Sequence, residues 1–175
     1  MEIFSDLSMI EALSNANGAP GFEDEVVAIA RHYAPASARV EEDRLRNLYL
    51  HREENSGEKP VVQIDAHSDE VGFMVQAVRP NGTLQFIQLG GWVPNNIPAH
   101  KVRVQTADGN YISGITTSKP PHFMSREEKD HPVTLDQMSI DIGASSREEA
   151  IEKFKIRIGM PVVPDVAFEY DEAHN

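Results

Sequence analysis

The feature that most constrains this chain is an apolar stretch, VVQIDAHSDEVGFMV at 61–75, that is interrupted by ionisable residues. Its first part is rich in β-branched residues, which is typical of a buried strand, and we predict a strand over 61–66. The ionisable residues that follow are Asp65, His67, Asp69 and Glu70. Because burying unpaired charge costs several kcal/mol or more, this cluster requires partners.

Two interpretations of the cluster stay open on these residues alone. A neutral imidazole such as that of His67 is a good ligand for zinc. Asp69 lies two residues on, and in extended chain both side chains share one face. The carboxylate could then orient the imidazole, lie beside the metal or take a proton. The alternative is a polar strand end without catalytic chemistry.

Further segments of the chain bear a resemblance to one family. Together with the central stretch they are GAPGFEDEV at 18–26, LGGW at 89–92, SKPPH at 118–122, IDIGASSREEA at 140–150 and GMPVV at 159–163. In this order they resemble the glutamyl-aminopeptidase or tetrahedral (TET) aminopeptidase family of dinuclear metallopeptidases, some members of which are labelled endoglucanases. The resemblance covers almost the whole chain.

The resemblance implies an α/β fold, a partial zinc-aminopeptidase-like domain interrupted by a small inserted β-barrel. The implied domains are 1–72 for the first part of the catalytic domain, 73–163 for the barrel and 164–175 for the return segment. It further implies two divalent metal ions, zinc or cobalt, with His67 as a metal ligand and Asp69 as the catalytic carboxylate beside it. The substrate would be a peptide with a free N-terminus, and the barrel would form a homo-oligomer and shape substrate access.

Local patterns predict the remaining elements. Apolar residues at helical spacing predict helices over 5–16 and 23–33, followed by a hairpin of strands 39–42 and 47–51. Period-two alternation predicts strands over 83–89, 101–106 and 111–117, with a tight turn at Asp108-Gly109. A polar loop over 118–137, a helix over 147–154 capped by Ser145 or Ser146, and a strand over 157–163 complete the prediction. The closely spaced strands favour a small barrel.

Composition narrows the class of function. The net charge of −12 disfavours a nucleic-acid partner, because no basic patch is available to neutralise phosphates. The chain has no cysteine, so metal ligands must come from His, Asp and Glu. No apolar run reaches the roughly 20 residues that span a bilayer, and the N-terminus lacks signal-peptide features. We therefore expect no membrane partner and a cytoplasmic location.

The family's remaining motifs are not found in these 175 residues. They include a metal-bridging Asp, a Glu that acts as general base, further carboxylate ligands and a second His. The last residues contain Glu169, Asp171, Glu172 and His174, but in a different context, and we expect a solvated terminal segment. The chain is therefore expected to be a fragment, a partner of a complementary chain or a truncated product, and inactive by itself.

Other candidates receive weaker interpretations. Trp92 is expected to pack rather than bind a ligand. His100 and His122 fall in the inserted region, and His122 is expected to be a surface loop residue, with a role in substrate access or at an interface open. The alternative function is a non-catalytic assembly module built on the barrel. A third option, glycan hydrolysis, would require two carboxylates about 5–10 Å apart.

Overall fold

The structure is a computed structural model that describes residues 3–52, 54, 56–126, 130–131, 133–171 and 173. The chain divides into two compact units. Unit 1 comprises residues 1–69 and 167–175, and unit 2 comprises residues 70–166. The predicted domain roles of 1–72, 73–163 and 164–175 stay predictions.

Unit 1 contains two helices and a hairpin, as predicted. The helices are α1 (Ile3–Asn15) and α2 (Asp24–His32), and the strands are β1 (Ala38–Glu42) and β2 (Leu48–Arg52). Acidic residues occupy the first turn of α2 and basic residues its last turn, an arrangement that the helix dipole favours. β1 and β2 pair antiparallel, with Val40 opposite Leu50.

Ion pairs between exposed side chains join α2 to this hairpin. Arg31 lies 2.5 Å from Glu42, and Arg46 pairs with both Glu42 and Asp24. Such surface pairs are each worth little because water and salt screen them.

The predicted strand over 61–66 is wrong. Residues 58–71 contain no helix or strand, and the side chains of Val61, Val62 and Ile64 are 72%, 83% and 93% exposed. A strand that is apolar on both faces forms only when neighbouring strands and covering helices pair with it. None of the described residues pairs with this segment in a ladder.

Unit 2 is a closed six-stranded barrel, which confirms the predicted barrel. Its strands are β3 (Gly72–Val78), β4 (Leu84–Leu89), β5 (Lys101–Gln105), β6 (Tyr111–Thr117), β7 (Ser139–Asp141) and β8 (Pro161–Pro164). Around the barrel the order is β3-β4-β7-β6-β5-β8, and neighbouring strands are antiparallel. Closure leaves no edge strand at either side of the sheet.

The turn between β5 and β6 has the predicted hairpin chemistry. Gly109 has φ +83°, a left-handed value that glycine adopts at no steric cost. The Thr106 backbone N–H donates to the Asn110 carbonyl at 2.8 Å, which closes the turn.

The barrel interior forms a continuous hydrophobic core. Its fully buried members include Phe73, Val75, Leu84, Val102, Val104, Ile140 and Val162. A short helix, α3 (Arg147–Glu152), begins at Ser146, whose hydroxyl accepts a hydrogen bond from the Glu149 backbone N–H at 3.1 Å. This confirms the predicted helix, with Ser146 rather than Ser145 as its N-cap.

The predicted polar loop over 118–137 contains two short 3₁₀ turns, Pro121–Phe123 and Leu135–Gln137. Residues 127–129 and 132 of this loop lie outside the described residues. Within the described chain, none of the helices combines the length and apolar character required to cross a membrane.

Candidate functional site

The polar cluster that the sequence singled out lies at 65–69, in a segment without helix or strand that precedes β3 in the chain. The His67 ring contacts Asp69 through one nitrogen. Nδ1 lies 2.9 Å from the Asp69 carbonyl oxygen and 3.1 Å from Asp69 Oδ1. The local path of the chain therefore brings these two side chains together across a spacing of two residues.

These contacts determine which ring nitrogen carries the proton. Both partners of Nδ1 are oxygen acceptors, so in a neutral ring Nδ1–H must be the donor. The lone pair of the neutral imidazole is then on Nε2. A carboxylate that accepts from the distal N–H of a histidine is a common support for a metal-ligating imidazole, because it fixes the ring orientation and increases the basicity of the ligand.

Solvent has ready access to this pair. The His67 side chain is 83% exposed and the Asp69 side chain 39% exposed. The exposure leaves Nε2 reachable by an ion or a substrate, but it also means that few packing contacts restrain the ring. The orientation of the imidazole therefore depends on Asp69 and on the backbone that joins the two residues.

A third ligand does not join the pair within the described residues. Among them, no group of three His, Cys, Asp or Glu side chains is placed to hold a metal ion. Asp65 is exposed. In the terminal segment Asp171 accepts a hydrogen bond from the Ala173 backbone N–H at 2.9 Å, while Glu172 and His174 lie outside the described residues. One imidazole with its carboxylate fits zinc or cobalt chemistry as one corner of a site.

Trp92 has the packing role that was expected. Its ring stacks on Phe73 with centroids 4.7 Å apart, and its indole N–H donates to the Gly72 carbonyl at 3.0 Å. His100 meets the edge of the same indole at 5.5 Å. His122 is exposed in the first 3₁₀ turn. These contacts stabilise unit 2 and do not form a catalytic arrangement.

A surface cavity of about 550 Å³ lies on the barrel. Its lining residues are Gln76, Gln85, Phe86, Ile87, Gln88, Leu135 and Asp136. Neither His67 nor Asp69 lines it, and its one charged side chain is Asp136. Since the cavity holds no paired acid and base, the chemistry of the chain points to the His67–Asp69 pair instead.

Sequence reasoning missed one neighbour of this pair. Gly18, the first residue of the motif at 18–26, lies against the backbone of Ser68, the residue between His67 and Asp69. The glycine-rich motif at 18–26 was the available signal, but no local rule connects it to residue 68.

Comparison with known proteins supports a single family. A profile described as M42 glutamyl aminopeptidase matches residues 47–175. The lysyl aminopeptidase of Pyrococcus furiosus is 34% identical over 161 residues, covering 88% of this chain and 44% of that protein.

Solved structures agree with this match. The TET aminopeptidase from the marine sediment archaeon Thaumarchaeota archaeon SCGC AB-539-E09 has 35% sequence identity and a TM-score of 0.88, covering 97% of this chain and 47% of that one. The TET1 peptidase of Pyrococcus horikoshii, described as able to assemble into a tetrahedron or a large octahedral shell, shares the fold at 24% identity, with a TM-score of 0.72 and coverage of 95% and 48%. The chain thus spans about half the length of the proteins it matches. It belongs to the M42 glutamyl aminopeptidase family.

Proposed function

We propose that this chain contributes part of the active site of a metal-dependent aminopeptidase, with His67 as a metal ligand and Asp69 as the carboxylate that orients it. The observation that carries the proposal is the pair of contacts from His67 Nδ1 to the Asp69 carbonyl and carboxylate oxygens, at 2.9 and 3.1 Å. They leave Nε2 as the free lone pair, which is the state that a metal ion requires of an imidazole. Membership of the M42 family supports the reaction class.

The metal would be zinc or cobalt, and two ions would be needed for the full site. When bound, such ions polarise the scissile carbonyl and lower the pKa of a bound water. The contribution of this chain is to supply one nitrogen ligand and to hold it through Asp69. The substrate would be the free N-terminus of a peptide.

The same reasoning proposes that the chain alone is catalytically inactive. A two-metal site requires several nitrogen and oxygen donors that converge within a few ångströms of two ions. His67 is one such donor, and within the described residues no larger set converges. Weak binding of a single ion, without turnover, is the expected behaviour.

Metal binding by His67 is tested by NMR titration of the ¹⁵N-labelled chain with zinc ions. The Nε2 resonance of His67 should shift on addition of zinc, and His67→Ala should remove the strongest zinc-dependent shifts. His122→Ala is the matched control, because His122 is also an exposed imidazole but is not part of the His67–Asp69 pair. An unchanged zinc response in His67→Ala would contradict the proposed ligand.

Turnover is measured in parallel with aminoacyl-nitroanilides in the presence of zinc or cobalt. No hydrolysis above the uncatalysed rate is expected. Hydrolysis that His67→Ala abolishes would support the aminopeptidase assignment and refute the proposed inactivity of the chain.

The second candidate is a non-catalytic assembly module. The closed barrel has a complete core of its own, and a TET relative is described as assembling into large shells. Light scattering of the full chain with a metal chelator tests this function: an oligomer in the absence of metal favours assembly through unit 2, and a monomer argues against it.

A further inference from the structure

Gly18 lies in the short loop that joins α1 to α2, and this loop is fixed to the start of α2. The backbone N–H and the side-chain amide of Asn17 both donate to Glu25 Oε2, at 3.1 and 2.7 Å. The Gly21 backbone N–H donates to Glu23 Oε1 at 2.8 Å. Hydrogen bonds at both ends of the loop therefore hold it on the first turn of α2.

At Gly18 the limit on side-chain size comes from space. Its φ lies outside the left-handed region, so no left-handed backbone strain opposes an alanine there. A Cβ built on Gly18 would lie 2.7 Å from Val26 Cγ2, on α2, and 3.3 Å from the Ser68 carbonyl oxygen. The first distance is too short for any real contact, and the second requires Ser68 to move by a few tenths of an ångström.

Ser68 connects the two members of the candidate site. The His67 ring is largely exposed and is held through its contacts with Asp69, so a shift of the intervening peptide changes both the 2.9 Å and the 3.1 Å contacts together. Hydrogen bonds weaken steeply as their geometry departs from the optimum, so a small displacement is sufficient.

We propose that Gly18 is a positioning residue for the His67–Asp69 pair: its lack of a side chain lets the Ser68 carbonyl lie against the loop on α2, and this fixes the hydrogen bond that leaves His67 Nε2 free. The importance of this role for metal ligation rests on the function proposed above. The close approach of Gly18 to Ser68 is independent of that function.

The readout is the tautomer of the neutral His67 ring, measured by long-range ¹H–¹⁵N NMR at a pH well above the ordinary histidine pKa of about 6.5. In the unaltered chain the Nδ1–H form should dominate. In Gly18→Ala the ratio of Nδ1–H to Nε2–H forms should fall about fivefold, the effect expected from loss of one net hydrogen bond. Circular dichroism must show that each variant is folded, because unfolding would also remove the contacts that favour the Nδ1–H form.

Two controls separate the contact with Ser68 from other effects. Gly91→Ala is the matched glycine substitution, because a Cβ there meets no atom within 4 Å, and it should leave the tautomer ratio unchanged. Val26→Ala removes the clashing methyl group on α2. In Gly18→Ala combined with Val26→Ala the added Cβ faces only Ser68, and this variant also covers the case in which Gly18→Ala alone fails to fold.

The tautomer shift should persist in the double variant and be absent in Val26→Ala. An unchanged ratio in Gly18→Ala, or a return to the original ratio in the double variant, would overturn the proposal. The zinc titration of the unaltered chain is a separate measurement. A tautomer shift without any zinc response at His67 would uphold the positioning role and refute the proposed metal ligand.

Discussion

The two units of this chain use their apolar residues in different ways. In unit 2 six strands close into a barrel, and residues such as Phe73 and Ile140 are completely buried within it. In unit 1 the sheet has two strands, and a run rich in β-branched residues, at Val61–Ile64, is exposed. The comparison teaches that a strongly apolar run does not by itself make a strand. Apolar surface is removed from water only where other elements of the chain cover it.

The residues that stabilise the fold and the residues of the candidate site lie in different units. The hydrophobic core belongs to unit 2, while His67 and Asp69 belong to unit 1, in a segment with few restraints. Regions with few buried contacts open at low free-energy cost. We therefore expect the proposed positioning role of Gly18 beside Ser68 to matter more for the candidate site than it would in a well-packed core.

The largest expected effect comes from one substitution made in each unit. Ile140→Ala removes a fully buried side chain from the barrel and should reduce the free energy of unfolding by about 2–5 kcal/mol. Ile64→Ala makes the same chemical change at a side chain that is 93% exposed, and its effect should be within about 0.5 kcal/mol. Urea unfolding followed by fluorescence of Trp92 and by circular dichroism measures both.

Equal losses in the two variants would break the comparison between the units. A large loss for Ile64→Ala would mean that the segment is covered in solution, for example by a second copy of the chain. Light scattering of the same samples distinguishes a dimer from a monomer.

A smaller effect concerns acid stability in unit 2. The Lys153 ammonium group, followed by the Ser145 backbone N–H and hydroxyl, lowers the pKa of Glu149 from 4.5 to about 2. Because the pKa in the folded state lies below the ordinary value, the stabilisation is fully present above about pH 4.5. It is lost as the pH falls through about 2.

Glu149→Gln tests this pH dependence, since a neutral amide cannot titrate. Its unfolding free energy should fall less between pH 4.5 and pH 2 than that of the unaltered chain. Glu148→Gln is the matched control on the same helix turn. Identical acid profiles for the unaltered chain and Glu149→Gln would refute the assignment.

The smallest effect is expected in unit 1, at the ion pairs of Arg46 with Asp24 and Glu42. Arg46→Ala should cost about 0.2–1 kcal/mol at low salt, and the cost should diminish as salt screens the charges. Arg52→Ala, which removes a more exposed pair with Glu54, is the control and should have no larger effect. A loss that is independent of salt would indicate a packing role for the Arg46 stem instead.

Local rules were sufficient for several parts of the fold. α2 was predicted from the helical spacing of its apolar residues, and β5 and β6 from alternation around Asp108-Gly109. These signals succeed because a helix turn and a tight hairpin are formed by residues close in sequence. The approach of His67 to Asp69 was predictable for the same reason.

Local rules do not predict which strands pair when the strands are far apart in the sequence. β7 has three residues, Ser139–Asp141, and its place between β4 and β6 follows from closure of the barrel. Gly114 lets it approach, since a Cβ there would lie 3.0 Å from Ile140 Cγ2. The segment at 61–66 is the reverse case. Its composition is suitable for a strand, but none of the described residues pairs with it in a ladder.

By itself, the sequence indicated the family and the positions of the helices and of most barrel strands, because these depend on neighbours in the chain. It also nominated His67 and Asp69 as site residues, which stays a prediction. The tertiary structure decided which apolar runs are buried, where β7 pairs, and that Gly18 lies behind Ser68. These outcomes depend on contacts between residues far apart in sequence, whose free energy is gained only when the whole surface between them is excluded from water.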